Sequence, residues 1–286
     1  MQTVTPHTPP ARSAQKLDPE ARSFYVRAMH RLSDAGVPFL VGGAYAFERY
    51  TGIERHTKDL DVFVRADDYP RALAALEADG CQGEVTFPHW LAKAYDGESF
   101  VDIIFGSGNG VAPVDDEWFA HAVEDTVLGV PVRIVPAEEM IWQKALIMER
   151  ERFDGADVAH ILRARADRLD WDRLLERFAG HWPVLLSHAI LFGYIYPEER
   201  TKVPSWVTQL LLARAQESLA ASAEPDPGDG PLCKGTVLSR TQYVVDVEQW
   251  GYQDARVEPH GAMSADDAAT WTEAGLEQQR TDVPTT

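Results

Sequence analysis

The sequence has few cysteines and no long apolar run, and each shortage excludes a class of protein. Only Cys81 and Cys233 occur among 286 residues, which excludes a disulfide framework and a cysteine-based zinc signature. The longest apolar region, residues 182–196, is interrupted by Ser187 and His188, and we expect it to be too short to span a bilayer. The first residues are rich in Thr and Pro, so we expect no signal peptide and a cytoplasmic location.

Basic residues are also scarce relative to acidic ones. The chain has 27 Lys and Arg against 45 Asp and Glu, a formal net charge of −18. Proteins bind nucleic acid mainly by neutralising its phosphates with Lys and Arg, so non-specific binding to nucleic acid is not expected. At this length the chain can bury a full core and is expected to hold two compact units.

Two acids stand one residue apart in a strand-like segment, Asp59-Leu60-Asp61-Val62. Side chains alternate along a strand, so Asp59 and Asp61 share one face. Burying unpaired charge is costly, and a divalent cation such as Mg²⁺ is the natural partner of such acids. The segment Val101–Phe105 supplies a third acid, Asp102. The alternative is an exposed face of solubilising acids, since a chain with 45 acids contains such pairs by chance.

Two further features precede the acids. Gly42 and Gly43 follow a short apolar segment and would let the backbone approach a phosphate, with the next helix start binding the anion. A plain strand-to-helix turn also favours glycine, so that alternative stays open. Arg55 and Lys58 lie just before Asp59, where a cation could hold a triphosphate or simply belong to a solvated loop.

Together these motifs resemble the nucleotidyltransferase superfamily, in particular its bacterial minimal and abortive-infection toxin-like branch. The resemblance covers roughly residues 20 to 165 and is carried by four segments. The matching segments are Phe39–Gly43, Thr57–Val62, Val101-Asp102, and Pro136–Asp157 with its Lys144. The resemblance implies an α/β fold with a small mixed sheet of the polymerase beta-like type, followed by an all-helical domain. It also implies an NTP substrate such as ATP and Mg²⁺ or Mn²⁺ held by Asp59, Asp61 and Asp102.

The resemblance gives roles to two later residues. The family places a lysine at Lys144 facing the nucleotide cleft and an acid at Asp157, which orients that lysine or the substrate. The alternative is a surface Lys–Asp pair, which would contribute little to stability.

The pattern of apolar residues and turn formers predicts the order of the parts. Residues 1–17 are expected to form a disordered tail, 18–136 the nucleotidyltransferase domain and 137–222 the helical domain. Residues 223–233 are rich in turn formers and read as a linker, and 234–286 form a segment of unknown role, with residues apolar enough to dock. We also expect a helix over 138–150 and an edge strand over 132–135.

These residues favour a metal-dependent enzyme that transfers an NMP from an NTP to an acceptor and releases pyrophosphate. The acceptor is unidentified: a small molecule, a protein hydroxyl or a tRNA end. The alternative is a non-catalytic nucleotide- or partner-binding member of a toxin–antitoxin or stress system. A hydrolytic phosphatase that uses the same acids is a third reading.

Overall fold

The first helix shows how local sequence sets the fold. In the computed structural model, which describes residues 17–55, 57–220 and 230–281, this helix spans Pro19–Asp34. The Asp18 carboxylate accepts hydrogen bonds from the backbone N–H groups of Glu20 at 2.8 Å and Ala21 at 3.2 Å, which caps the helix start. Pro19 at the first helical position suits this start. Its apolar face, which includes Tyr25 and Met29, is fully buried.

A mixed sheet of seven strands forms the centre of the first part of the described chain, and its order is β3-β4-β5-β2-β1-β7-β6. The strands are β1 Leu40–Val41, β2 Asp59–Phe63, β3 Gln82–Phe87, β4 Leu91–Asp96, β5 Ser99–Ile104, β6 Val123–Val127 and β7 Val130–Ile134. Strands β2 and β5 are parallel neighbours, and β1 is antiparallel to β2 but parallel to β7. The helices of this part are α1 Pro19–Asp34, α2 Gly43–Thr51, α3 Tyr69–Glu77 and α4 Asp116–Ala120.

Helices dominate the chain from Ala137 onward. They are α5 Ala137–Ala145, α6 Gly155–Arg165, α7 Trp171–Phe178, α8 Trp182–Ile195 and α9 Ser205–Ala220. The last described part contains β8 Leu232–Cys233, α10 Gly235–Leu238, α11 Val244–Glu248, β9 Gln253–Asp254 and α12 Ala265–Thr281. The mixed sheet followed by helices confirms the predicted fold class.

Two expectations about individual elements were wrong. The strand expected at an edge, β7, is internal, and the edge strand β6 was not predicted. Helix α5 ends at Ala145 rather than Arg150, and Met148 beyond its end forms a β-bridge with Phe153. The last two residues of the expected linker, Leu232 and Cys233, form β8, which pairs with β9.

The domain boundaries themselves stay a prediction. The first 16 residues of the expected tail and residues 223–229 of the expected linker lie outside the described residues. Leu17, the last residue of that tail, packs against the core.

One stretch is longer and more apolar than the sequence analysis expected. By length and composition alone, residues Trp171–Ile195 could cross a membrane, since an 18-residue window within them has a mean hydropathy of 1.2. A turn of 3-10 helix at Ala179–His181 interrupts the stretch between α7 and α8. Its first half carries Arg173, which forms an ion pair with the buried carboxylate of Glu139.

Candidate active site

The three predicted acids meet on the two central parallel strands. Asp61 on β2 is in register with Asp102 on β5, and Asp59 lies two residues before Asp61 on the same face. One carboxylate oxygen from each residue lies within 4.8 Å of the other two. The intervening Leu60 and the following Val62 are fully buried on the opposite face. The cluster lies on the face of two interior strands of the sheet.

The position of Asp61 is electrostatically costly. Burial, and then the neighbouring charges of Asp59 and Asp102, raise the pKa of Asp61 from 3.8 to about 7. Burial also raises the pKa of Asp102. Asp59 accepts a hydrogen bond from the hydroxyl of Thr57. The cluster therefore holds negative charge that is poorly compensated by the protein around Asp61.

A lysine that the sequence analysis missed partly compensates this charge. Lys93 on β4 is in register with Asp102, and its Nζ donates a hydrogen bond to the Asp102 carboxylate at 2.6 Å. The Lys93 ammonium also lies 4.2 Å from the centre of the Phe100 ring. Side chains alternate along β4, but only the β4–β5 register shows that Lys93 lies on the face that carries the acids.

Gly43 is required by the acid cluster itself. Its φ is +54°, and a Cβ atom built on it would lie 1.7 Å from the Asp61 carboxylate oxygen. A serine at this position would collide with Asp61 in the same way. Gly42 precedes the start of α2, where no side chain of the described residues forms a cap. The first N–H groups of α2 are therefore suited to bind an anion beside the acids.

Lys144 and Asp157 belong to a largely buried ion network rather than to an exposed pair. The Lys144 Nζ lies 3.0 Å from Asp154 and 2.7 Å from Asp157, and the Lys144 side chain is only 17% exposed. Arg55 also donates to Asp157, at 2.8 Å through one of its two terminal guanidinium nitrogens. Burial alone would raise the pKa of Asp157, but the hydrogen bonds from Arg55 and Lys144 outweigh it and lower the pKa. The surface-pair alternative is therefore wrong.

One cavity of about 710 Å³ joins these groups, which is a usual size for a small-molecule site. Its lining includes the three acids, the Gly42-Gly43 turn, Arg55, Lys144 and Asp157. Lys58 does not line it, and this residue is exposed. Much of the remaining lining, which the sequence analysis missed, comes from the loop after β5, from α5 and the loop that follows it, and from the last described part of the chain.

The acid cluster fits a divalent cation. All of its donors are carboxylate oxygens, which Mg²⁺ and Mn²⁺ prefer. Two oxygens on opposite sides of one Mg²⁺ lie about 4.2 Å apart, since each Mg–O distance is about 2.1 Å. The observed limit of 4.8 Å is therefore compatible with one ion after small side-chain movements. The raised pKa of Asp61 marks charge that such an ion would neutralise.

Several solved structures are distantly similar to this chain. The antibiotic-resistance factor ANT(2'')-Ia has a TM-score of 0.38 and 16% identity, covering 71% of this chain and 95% of its own. The lincosamide antibiotic adenylyltransferase LnuA has a TM-score of 0.36 and 15% identity, covering 50% of this chain and 95% of its own. An antigenic nucleotidyltransferase-like protein from Paracoccidioides brasiliensis has a TM-score of 0.41 and 14% identity, covering 64% and 92%.

Curated proteins give no match to the chain. Residues 20–181 match the model of a family described as uncharacterised nucleotidyltransferase. The matched residues are more than half of the chain and contain the three acids, the Gly42-Gly43 turn and Lys144. The protein therefore belongs to this family of nucleotidyltransferase enzymes.

Proposed function

We propose that this enzyme transfers an NMP group from an NTP to an acceptor hydroxyl in a reaction that depends on Mg²⁺ or Mn²⁺. The observation that carries the proposal is the convergence of three carboxylates within 4.8 Å, in one cavity with Arg55 and Lys144. Carboxylates that share one face and carry uncompensated charge are suited to bind a metal ion, and the nearby cationic side chains are suited to bind a triphosphate.

Asp59, Asp61 and Asp102 would hold the ion. When bound, a divalent cation neutralises phosphate charge and stabilises the leaving pyrophosphate. The turn at Gly42-Gly43 and the start of α2 would bind phosphate oxygens through backbone N–H groups. Asp157 is already bonded to Arg55 and Lys144, so its role is to position these two cations towards the triphosphate.

The transfer follows from these positions. The acceptor oxygen forms a bond to the α-phosphorus, and the bond from that phosphorus to the oxygen that bridges to the β-phosphate breaks. Pyrophosphate leaves with the electron pair of the broken bond, and a carboxylate of the cluster takes the acceptor proton. Holding both reactants in line is the main contribution a protein makes to such a step.

Two measurements test this proposal. Titration calorimetry with each common NTP in the presence of Mn²⁺ should detect binding in the wild type, and Asp59→Asn should weaken it. A coupled pyrophosphate assay with cell extract as the acceptor source should detect turnover that the variant loses. NTP binding without pyrophosphate release would favour the alternative of a non-catalytic nucleotide-binding protein. Absence of metal-dependent NTP binding would refute the proposal.

A further inference from the structure

The last described part of the chain, residues 230–281, forms one wall of the cavity; we call it the C-terminal segment. It is firmly packed, since Met263 is 1% exposed, Ser239 2% and Val237 3%. It lies beyond the residues that match the family model, which end at position 181. Its part of the cavity is therefore built by residues that the family match does not include.

A glycine-rich loop directly after β5 receives this segment. A Cβ atom on Gly108 would lie 2.4 Å from the Trp271 ring, and one on Gly110 would lie 2.7 Å from the Met263 side chain. The Asn109 side-chain amide donates a hydrogen bond to the carbonyl oxygen of Val237 at 2.9 Å. These glycines thus allow close approach of the C-terminal segment to the strand that carries Asp102.

Arg240 is the charged residue that this segment adds to the described lining of the cavity, and it is matched within the protein. The Nε of Arg240 lies 3.2 Å from the Glu149 carboxylate, and its guanidinium lies 4.2 Å from the centre of the Trp271 ring. Arg240 also donates to the side-chain oxygen of Gln278 at 2.8 Å. A ligand that carried a net charge would compete with these pairs.

Uncharged polar groups complete the same wall. Thr241, Gln278 and Gln279 line the cavity, and Gln143 on α5 lies among the same lining residues. The Gln279 amide nitrogen donates to the Thr241 hydroxyl at 2.8 Å and to the Glu151 carboxylate at 3.3 Å, which leaves its amide oxygen available as an acceptor. Side-chain amides and hydroxyls both donate and accept, as the hydroxyl groups of a ligand do.

We propose that the C-terminal segment is the acceptor-binding wall of the site, and that Gln278 and Gln279 select an uncharged small molecule that bears hydroxyl groups. This inference rests on the proposed function, because it assigns the triphosphate to the end of the cavity with Arg55 and Lys144. A hydroxyl of the bound acceptor attacks the α-phosphorus, pyrophosphate leaves, and the product is the NMP ester of that small molecule.

The test uses the full chain, Mg²⁺ and ATP, CTP, GTP or UTP labelled on the α-phosphate. A bacterial cell extract is divided by ultrafiltration into small molecules and macromolecules, and each fraction is offered separately as the acceptor source. The variants are Gln278→Ala and Gln279→Ala. Gln249→Ala is the matched control, because Gln249 is an exposed glutamine of the same segment outside the cavity lining.

The wild type should transfer label to a compound in the small-molecule fraction. Each cavity variant should lower that transfer about tenfold, which corresponds to about 1.4 kcal/mol, while NTP affinity measured by calorimetry stays at the wild-type value. The Gln249→Ala control should match the wild type. Circular dichroism and thermal unfolding of each variant show whether the fold is kept.

Two results would overturn the inference while leaving the proposed function intact. These are label only on macromolecules and full transfer by both cavity variants. NTP binding with label in neither fraction would count against the proposed function as well, because that function requires transfer. A loss of NTP affinity in Gln278→Ala as large as its loss of transfer would show that the wall holds the nucleotide instead. Failure of the wild type to bind any NTP would refute the proposed function and the inference together.

Discussion

Asp61→Asn removes one charge from the acid cluster with almost no change in shape. Because the pKa of Asp61 is raised from 3.8 to about 7, the folded protein holds this proton over a pH range in which the unfolded chain has lost it. Stability from this group is therefore fully present below about pH 4 and is lost as the pH rises through about 7. The metal-free wild type should lose stability across this range relative to the variant.

The size of the effect follows from the shift. A change of one pKa unit is worth about 1.36 kcal/mol, so a shift of about three units gives an upper limit of about 4 kcal/mol at pH 8. Part of this penalty is already present at pH 5. Between pH 5 and pH 8 we expect the free energy of unfolding of the variant to rise by roughly 2 to 3 kcal/mol relative to that of the wild type. The gain should be reduced by added Mg²⁺, which stabilises only a protein that binds it.

Urea unfolding in EDTA at both pH values, followed by circular dichroism, measures this difference. Asp67→Asn is the matched control, since Asp67 is an exposed acid outside the cavity. Equal stability differences between Asp61→Asn and the wild type at pH 5 and pH 8 would refute the electrostatic reasoning. In the pyrophosphate assay Asp61→Asn should abolish transfer, and retained turnover would exclude Asp61 from the site.

Three further substitutions test the surroundings of the cluster. Lys93→Met should tighten Mn²⁺ binding in calorimetry, because it removes a cation that competes for a cluster carboxylate. The same change should lower the stability of the metal-free protein by about 2 kcal/mol. Lys93→Arg should have little effect on Mn²⁺ binding or on stability. Gly43→Ala should destroy Mn²⁺ binding. Gly52→Ala is its control, because Gly52 has φ +70° but no atom lies within 4 Å of the new Cβ. This control should introduce only backbone strain and should keep Mn²⁺ binding. Lys144→Met should weaken NTP binding and also lower the unfolding midpoint, while Lys58→Met, outside the cavity, should leave both at wild-type values.

The sequence predicted the acid face well because a strand has a simple period. Asp59 and Asp61 alternate with Leu60 and Val62, and this pattern requires no knowledge of distant contacts. The strand-like segment Val101–Phe105 then supplied Asp102, and the structure places it in register with Asp61. The roles of these acids as metal ligands stay a prediction.

Features that depend on distant contacts could not be predicted in this way. Lys93 joins the cluster only through the register of two paired strands, and Trp271 reaches the cavity only because Gly108 lets it approach. Beyond the early end of helix α5, the backbone N–H of Met148 bonds to the carbonyl of Leu238, far along the chain. Strand β6 was missed since its acids, Glu124 and Asp125, break the simple alternation of apolar and polar residues.

The parallel pairing of β2 with β5 has a consequence for how the protein folds. Asp59 and Asp61 are neighbours in the chain, but α3 and the β3–β4 hairpin lie between them and Asp102 in sequence. Contacts of high sequence separation form late, because the loop between them must first be ordered. The complete set of three ligands should therefore exist only near the end of folding, and Mg²⁺ should slow unfolding more than it speeds refolding.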